Sequence, residues 1–170
     1  MDKHLIIFVN TPPNSQLGVS LHKDKLKAYL ASMENTAAIT ADISASKHIY
    51  YNSFIENDSV FSDHIFQKKI HQKKRPKDQL TDALKLSFGQ WAKKVVFVAT
   101  DFEGVSKEDI ELIYDQLEQS DFVVLPKLSG GVLLFGTTFF NSSLLNHFPW
   151  KSDNDLLDTI ITLKENKKTY

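Results

Sequence analysis

The chain contains no cysteine. That excludes disulfides, thiolate metal sites and a cysteine nucleophile, and it fits a reducing compartment. Arginine, the side chain best suited to bidentate phosphate recognition, occurs once, as Arg75. Long apolar runs are missing too. Residues 5–9 are apolar, but the run stops at Asn10 and Pro12, too short for a signal-peptide core or a membrane span. Neither sign of charge dominates: twenty basic against twenty-one acidic side chains leave a formal net charge of -1, which advertises neither nucleic acid nor an anionic membrane. The histidines (His4, His22, His48, His64, His71 and His147) lack the mutual spacing of a metal site, and none adjoins a serine or cysteine nucleophile signature. They carry no catalytic weight here. There is no internal repeat, linker or low-complexity tract. The expectation is a cytoplasmic protein with no membrane span and no nucleic-acid partner.

What is present is a globular chain of 170 residues, 42% hydrophobic and 24% charged, expected to form a single domain over 1–170. Its organising stretch is Lys94-Val95-Val96-Phe97-Val98-Ala99-Thr100-Asp101, a buried parallel strand ending in a carboxylate. Leu5-Ile6-Ile7-Phe8-Val9 is a second such strand, followed by the loop-like Asn10-Thr11-Pro12-Pro13-Asn14-Ser15. Between 23 and 41, Leu26, Tyr29, Leu30, Met33, Ala37 and Ala41 recur at helical spacing, and His48-Ile49-Tyr50-Tyr51 reads as a strand. A strand over 65–70 precedes a helix over 77–91 opened by Pro76, with Leu80, Leu84, Phe88 and Trp91 on one face. Ser106 and Asp109 mark the start of a helix over 107–119 that buries Ile110, Ile113, Tyr114 and Leu117. Residues 121–125 read as another buried strand and 130–136 as one more. A last helix opens at Ser152-Asp153, with Asp155 completing its cap, and carries Leu156, Leu157, Ile160, Ile161 and Leu163. This alternation predicts an α/β class protein, a three-layer α/β/α sandwich on a mostly parallel (mixed) sheet. Ligands of such sheets sit outside the strands' carboxyl ends, where Asp101 stands.

Several landmarks fall in a familiar order: Thr11-Pro12-Pro13, then Ala92-Lys93-Lys94-Val95-Val96 leading to Thr100-Asp101, Leu125-Pro126, Ser129-Gly130-Gly131, Leu134-Phe135-Gly136 and Pro149-Trp150. The succession, from about residue 4 to 164, resembles a bacterial family of short GT-A-type glycosyltransferase-like proteins, related to those of arsenosugar biosynthesis. The resemblance implies a nucleotide-diphospho-sugar transferase fold, a sugar nucleotide lying across the first strand's loop, and a divalent metal near a carboxylate. The family's Lys-x-Pro reads Asn10-Thr11-Pro12 here, and its next two cationic positions are Gly18 and Ser20. Its Thr-Asp-Cys-Pro is Thr100-Asp101-Phe102-Glu103, and its Asp-Gly-Gly-Tyr is Ser129-Gly130-Gly131-Val132. Lys74-Arg75-Pro76-Lys77 stands where the family has Gly-Asp-Leu-Gly, and the chain stops at Tyr170, short of the family's closing acidic strand and loop.

The implied site places Asn10, Thr11, Pro12 and Ser20 at the nucleotide and Gly130 and Gly131 beside the sugar. Asp101 and Glu103, at i, i+2, are the candidate ligands for Mg²⁺ or Mn²⁺, an ion that takes hard oxygen donors. The plainer reading has Asp101 capping a turn and Glu103 in solvent. Gly130-Gly131 equally suits a tight turn. The basic run Lys68, Lys69, Lys73, Lys74, Arg75 and Lys77 fits a phosphate funnel, a patch for an acidic partner, or a lysine-blunted sheet edge. Pro149-Trp150 closes a pocket or packs; Phe139, Phe140 and Phe148 belong to the core or to a dimer face. Losing two charge-assisted phosphate contacts, each about 1.5–3 kcal/mol, removes two to four decades of affinity. The expected function is therefore a nucleotide-sugar-dependent glycosyltransferase with a degenerate site. The alternative is a non-catalytic binding or interaction protein on the same scaffold. Nucleotidyl transfer is a third reading, disfavoured by the missing glycine- and arginine-rich loop. No catalytic base is assigned.

Overall fold

The computed structural model describes residues 1–9, 21–52, 59–100 and 103–170. Among the described residues six strands form one sheet: β1 (Lys3–Val9), β2 (Ser46–Tyr51), β3 (Phe66–Ile70), β4 (Lys94–Ala99), β5 (Phe122–Pro126) and β6 (Val132–Thr137), in spatial order β3-β2-β1-β4-β6-β5. Strands β3, β2, β1 and β4 run parallel, and β6 is antiparallel to both β4 and β5. Helices α1 (Leu21–Ala41) and α3 (Lys107–Gln116) contribute to the core on one face. The other face packs against α2 (Pro76–Gly89), a 3-10 turn at Ser142–Leu145 and α4 (Asp153–Glu165).

The strands obey the two-residue alternation of a sheet buried on both sides. Leu5, Ile7 and Val9 enter the α1/α3 core while Ile6 and Phe8 enter the α2/α4 core; Val96 and Val98 divide from Val95, Phe97 and Ala99 in the same way. The expected strands are all present, and the sheet is mixed as expected. The capping boxes at Ser106/Asp109 and Ser152/Asp155 form as expected, each serine oxygen accepting from the aspartate's N–H. Strand β5 departs from expectation. It is a half-buried edge strand, because only β6 pairs with it.

Three helical faces also differ. On α1, Leu26 and Leu30 are exposed, and the buried stripe is Met33, Thr36, Ala37 and Thr40. Each threonine hydroxyl donates to the carbonyl one turn back, Ser32 O at 2.8 Å and Thr36 O at 2.6 Å, so its methyl faces the core at no polar cost. On α4 the same device buries Thr159, bonded to Asp155 O at 2.9 Å, together with Leu163, while Leu157 and Ile161 face outward. Trp91 lies past the end of α2 at φ 66° and is 88% exposed, so it forms no part of that helix's apolar face.

Candidate functional site

Strand polarity decides where a ligand can sit. The carboxyl ends of β1 and β4 reach one edge, and because β6 runs the other way, the β5–β6 turn arrives at that same edge. A cavity of about 420 Å³ opens there, on the α2/α4 face. Its floor is Phe8, Phe97, Ala99 and Phe135, and its walls include Pro76 and Gln79 from α2, Lys127, Ser129 and Gly130 from the turn, and the strip Phe148-Pro149-Trp150-Lys151. This is the size and mostly apolar character of a small-molecule site.

The turn is built by its glycines. Gly130 and Gly131 have φ of 95° and 81°, where other residues are strained. A Cβ on Gly131 would stand 2.6 Å from Trp150 O, so the missing side chain lets the turn press onto the Trp150–Lys151 backbone. Val132 N donates to Trp150 O at 3.3 Å, and Gly131 N to Asp153 Oδ1 at 3.4 Å. Gly130, by contrast, lines the cavity itself. Of the two purposes weighed from sequence, the tight turn is formed, and a Cβ on Gly130 would stand 3.6 Å from Asp153 Oδ1.

Among the described residues that line the cavity, both charged side chains are cations, with Asp78 in the first turn of α2 and Asp153 behind the glycine turn. Lys127 and Lys151 line the cavity. The first turn of α2 meets it at Pro76, and no side-chain cap from Arg75 covers that helix end. Trp150 packs at 4.9 Å from Phe135 and 5.3 Å from Phe148, yet its buried indole Nε1 has no hydrogen-bond partner among the described residues. A buried donor without an acceptor is costly unless a ligand or water completes it. Phe139, Phe140 and Phe148 are partly buried against the same core.

Of the residues singled out from sequence, Asn10, Thr11, Pro12, Ser20 and Asp101 lie outside the described residues. Glu103 is exposed in the turn before α3. Among the described residues no three His, Asp or Glu side chains converge to hold a metal ion, so these residues do not by themselves form a metal centre. The basic run disperses: Lys68 pairs with Asp63 at 2.9 Å, Arg75 with Asp78 at 2.6 Å, and Lys77 donates to Asn146 Oδ1 at 2.6 Å. No helix among the described residues is long and apolar enough to cross a membrane.

Sequence reasoning passed over Lys127, Lys151, Gln79 and Asp153. It also set aside histidines that the fold buries. Lys69 Nζ lies 3.1 Å from His48 Nδ1, and His48 Nε2 lies 3.1 Å from His4 Nδ1. An ammonium can only donate, so His48 accepts at Nδ1 and passes its own Nε2–H to His4. Burial, then the Lys69 charge, pushes His48 down to about 3, and burial likewise lowers His4 and Lys69. Hydrophobic alternation along β1 and β2 was the available signal, since His4 and His48 occupy inward positions.

No curated protein matches the chain in sequence. Among solved structures, it is similar to a proposed nucleotide-diphospho-sugar transferase from Desulfovibrio desulfuricans G20, with a TM-score of 0.74 and 15% identity, covering 99% of this chain and 78% of that one. It is also similar to 4-diphosphocytidyl-2C-methyl-D-erythritol synthase from Anaerococcus prevotii DSM 20548, with a TM-score of 0.56 and 10% identity, covering 95% and 96% of the two chains. The bifunctional IspDF of Campylobacter jejuni matches with a TM-score of 0.55 and 12% identity, over 94% of this chain and 47% of that one. Likeness at such identities is likeness of fold, here that of the nucleotide-diphospho-sugar transferases. The sequence profile of DUF2064, described as an uncharacterized protein conserved in bacteria, matches residues 36–152, and the chain belongs to that family.

Proposed function

We propose that the cavity receives the diphosphate and sugar of a nucleotide sugar, and that the protein is a GT-A-type glycosyltransferase with a weakened site. The observation that carries this reading is the cavity's composition: two lysines, an uncapped helix end and the unpartnered Trp150 Nε1 around an apolar floor, at the sheet edge where such ligands belong. Lys127 and Lys151 would attract the phosphates as point charges, Trp150 Nε1 would donate to an oxygen, and Gly130 would admit the sugar against the backbone. Asn10, Thr11, Pro12 and Ser20 at the nucleotide, and Asp101 with Glu103 on a divalent ion, belong to the same reading, as does kinship with the arsenosugar branch. One domain over 1–170 and a cytoplasmic setting are part of it as well.

The test is a thermal-shift screen with UDP-, GDP-, CDP- and ADP-sugars, with and without Mn²⁺, followed by release of nucleoside diphosphate over time. We expect one nucleotide to stabilise the protein at millimolar concentration, with a smaller shift in Lys151→Ala. Dependence on Mn²⁺ that disappears in Asp101→Ala would support the metal ligand. No response to any nucleotide sugar would sink the transferase reading. A second reading, a non-catalytic binding protein, draws support from Gly18 and Ser20 standing where the resembled family has cations. Binding without release of nucleoside diphosphate would favour it.

A further inference from the structure

A second cavity, of about 390 Å³, lies on the same face of the sheet between β2, β3 and α2. Tyr50, His71, Gln79, Asp82, Lys69 and Lys73 supply its polar lining. It adjoins the first cavity, because Gln79 lines both, and the Phe8 ring that floors the first meets His71 edge-on at 4.3 Å. Parallel pairing creates this spot: Phe8 is level with Tyr50, and Tyr50 with Lys69, while His71 N continues the ladder by donating to Tyr51 O at 2.9 Å.

Two polar atoms here have no partner among the described residues. Tyr50 is 6% exposed and His71 9%, and their rings stack at 5.2 Å, yet Tyr50 Oη and His71 Nε2 are buried without a hydrogen bond. Asp82 stands near enough for its charge to act on both groups. One orphaned atom is a local defect; two on stacked rings at one cavity, which Asp82 also lines, describe the outline of something that donates and accepts.

We propose that this second cavity binds an uncharged, hydroxyl-rich small molecule of the sugar or polyol class, whose hydroxyls bridge Tyr50 Oη, His71 Nε2 and the Asp82 carboxylate. Charge selects the class. An anion would face Asp82, and a cation would face Lys69 and Lys73. A hydroxyl donates and accepts at once, so it can satisfy a phenol, a neutral imidazole and a carboxylate together. Burial lowers His71 to about 4, so its ring is neutral at physiological pH and offers one donor and one acceptor. Ile70 and Leu86 supply the apolar wall against which a sugar's C–H face rests. As the acceptor subsite of a transferase, this cavity rests on the reading of the first one; as a polyol site it does not.

The experiment is a titration of the full chain, without nucleotide, by myo-inositol and by D-glucose, read in the imidazole ¹⁵N resonances and in the melting temperature. Inorganic phosphate serves as the charged control. We expect one polyol, at millimolar concentration, to move the His71 Nε2 resonance and raise the melting temperature. In Tyr50→Phe and in Asp82→Asn the affinity should fall about tenfold each, the loss of roughly one hydrogen bond. Lys151→Ala, in the first cavity, should leave it unchanged. An immobile His71 resonance with both polyols overturns the proposal, as does undiminished affinity in both variants, or a response to phosphate alone. Polyol binding without nucleotide-sugar binding supports this site and overturns the transferase reading; the reverse result overturns this site alone.

Discussion

Among the described residues, three buried histidines are expected to weaken the fold as pH falls. His48 is pushed down to about 3 and His71 to about 4, and His4 is lowered as well, burial being the largest cause for each. In the unfolded chain these rings take up protons near the ordinary value of 6.5. Stability is therefore complete above that pH and is lost as pH falls towards 4 and 3. Each ring contributes up to about 1.4 kcal/mol per pH unit within its window. Urea unfolding followed from neutral pH down to about pH 4.5 should show the midpoint falling steeply, and His48→Gln should flatten the slope. An equally steep slope in that variant would show that the histidine chain is not the cause. Glycine gives a second residue-scale test. A Cβ on Gly136 would come within 2.5 Å of Ile113 Cγ2 and 2.8 Å of Leu117 Cδ1. These are side-chain ends that can shift, so Gly136→Ala should cost about 1–3 kcal/mol, as overpacking does. Gly131→Ala meets backbone at positive φ and should cost more, with the cavity rim displaced. Chemical denaturation of the two variants side by side settles the order.

Helices expose the gap between apolar spacing and buried faces. Counting leucines on α1 predicts a stripe through Leu26 and Leu30, whereas Thr36 and Thr40 complete the face that Met33 begins. Threonine is invisible to a hydrophobicity count, yet a hydroxyl returned to its own helix leaves a methyl free to pack. Leu30→Lys should therefore change stability by less than about 0.5 kcal/mol, while Met33→Ala should cost about 2–5 kcal/mol, both measured by denaturant unfolding. Equal costs would return α1 to the apolar reading. The helix starts were easier. Ser106 with Asp109 and Ser152 with Asp155 announce themselves by spacing, and both boxes form with the serine oxygen accepting at 3.1 Å and 3.3 Å. Strands were equally legible, because a sheet covered on both faces must be continuously apolar. The edge position of β5 was not, since its neighbours are chosen by chain path rather than by composition.

Across the whole molecule the fold was readable and the site only in part. The order of elements and the mixed sheet follow from alternation of strand and helix, and the nucleotide-diphospho-sugar transferase architecture from the resemblance carried by landmarks such as Thr100-Asp101 and Ser129-Gly130-Gly131. The cavity draws Phe8, Gln79, Lys127 and Trp150 from segments far apart in the chain, so no local spacing announces them. The turn at Gly130 and Gly131 was legible because positive φ leaves a mark on composition. Tyr50 and His71 were not, because an unpartnered buried atom exists only once three elements have packed. The reversed direction of β6 carries a practical corollary. Segment 127–131 hangs from a hairpin at the margin of the sheet, outside the four-strand parallel ladder that holds the molecule together. Changing the charge or size of residues 127–129, with Gly130 and Gly131 kept, should therefore retune what the proposed site accepts while the scaffold stays intact, making the hairpin tip the natural handle for redesign.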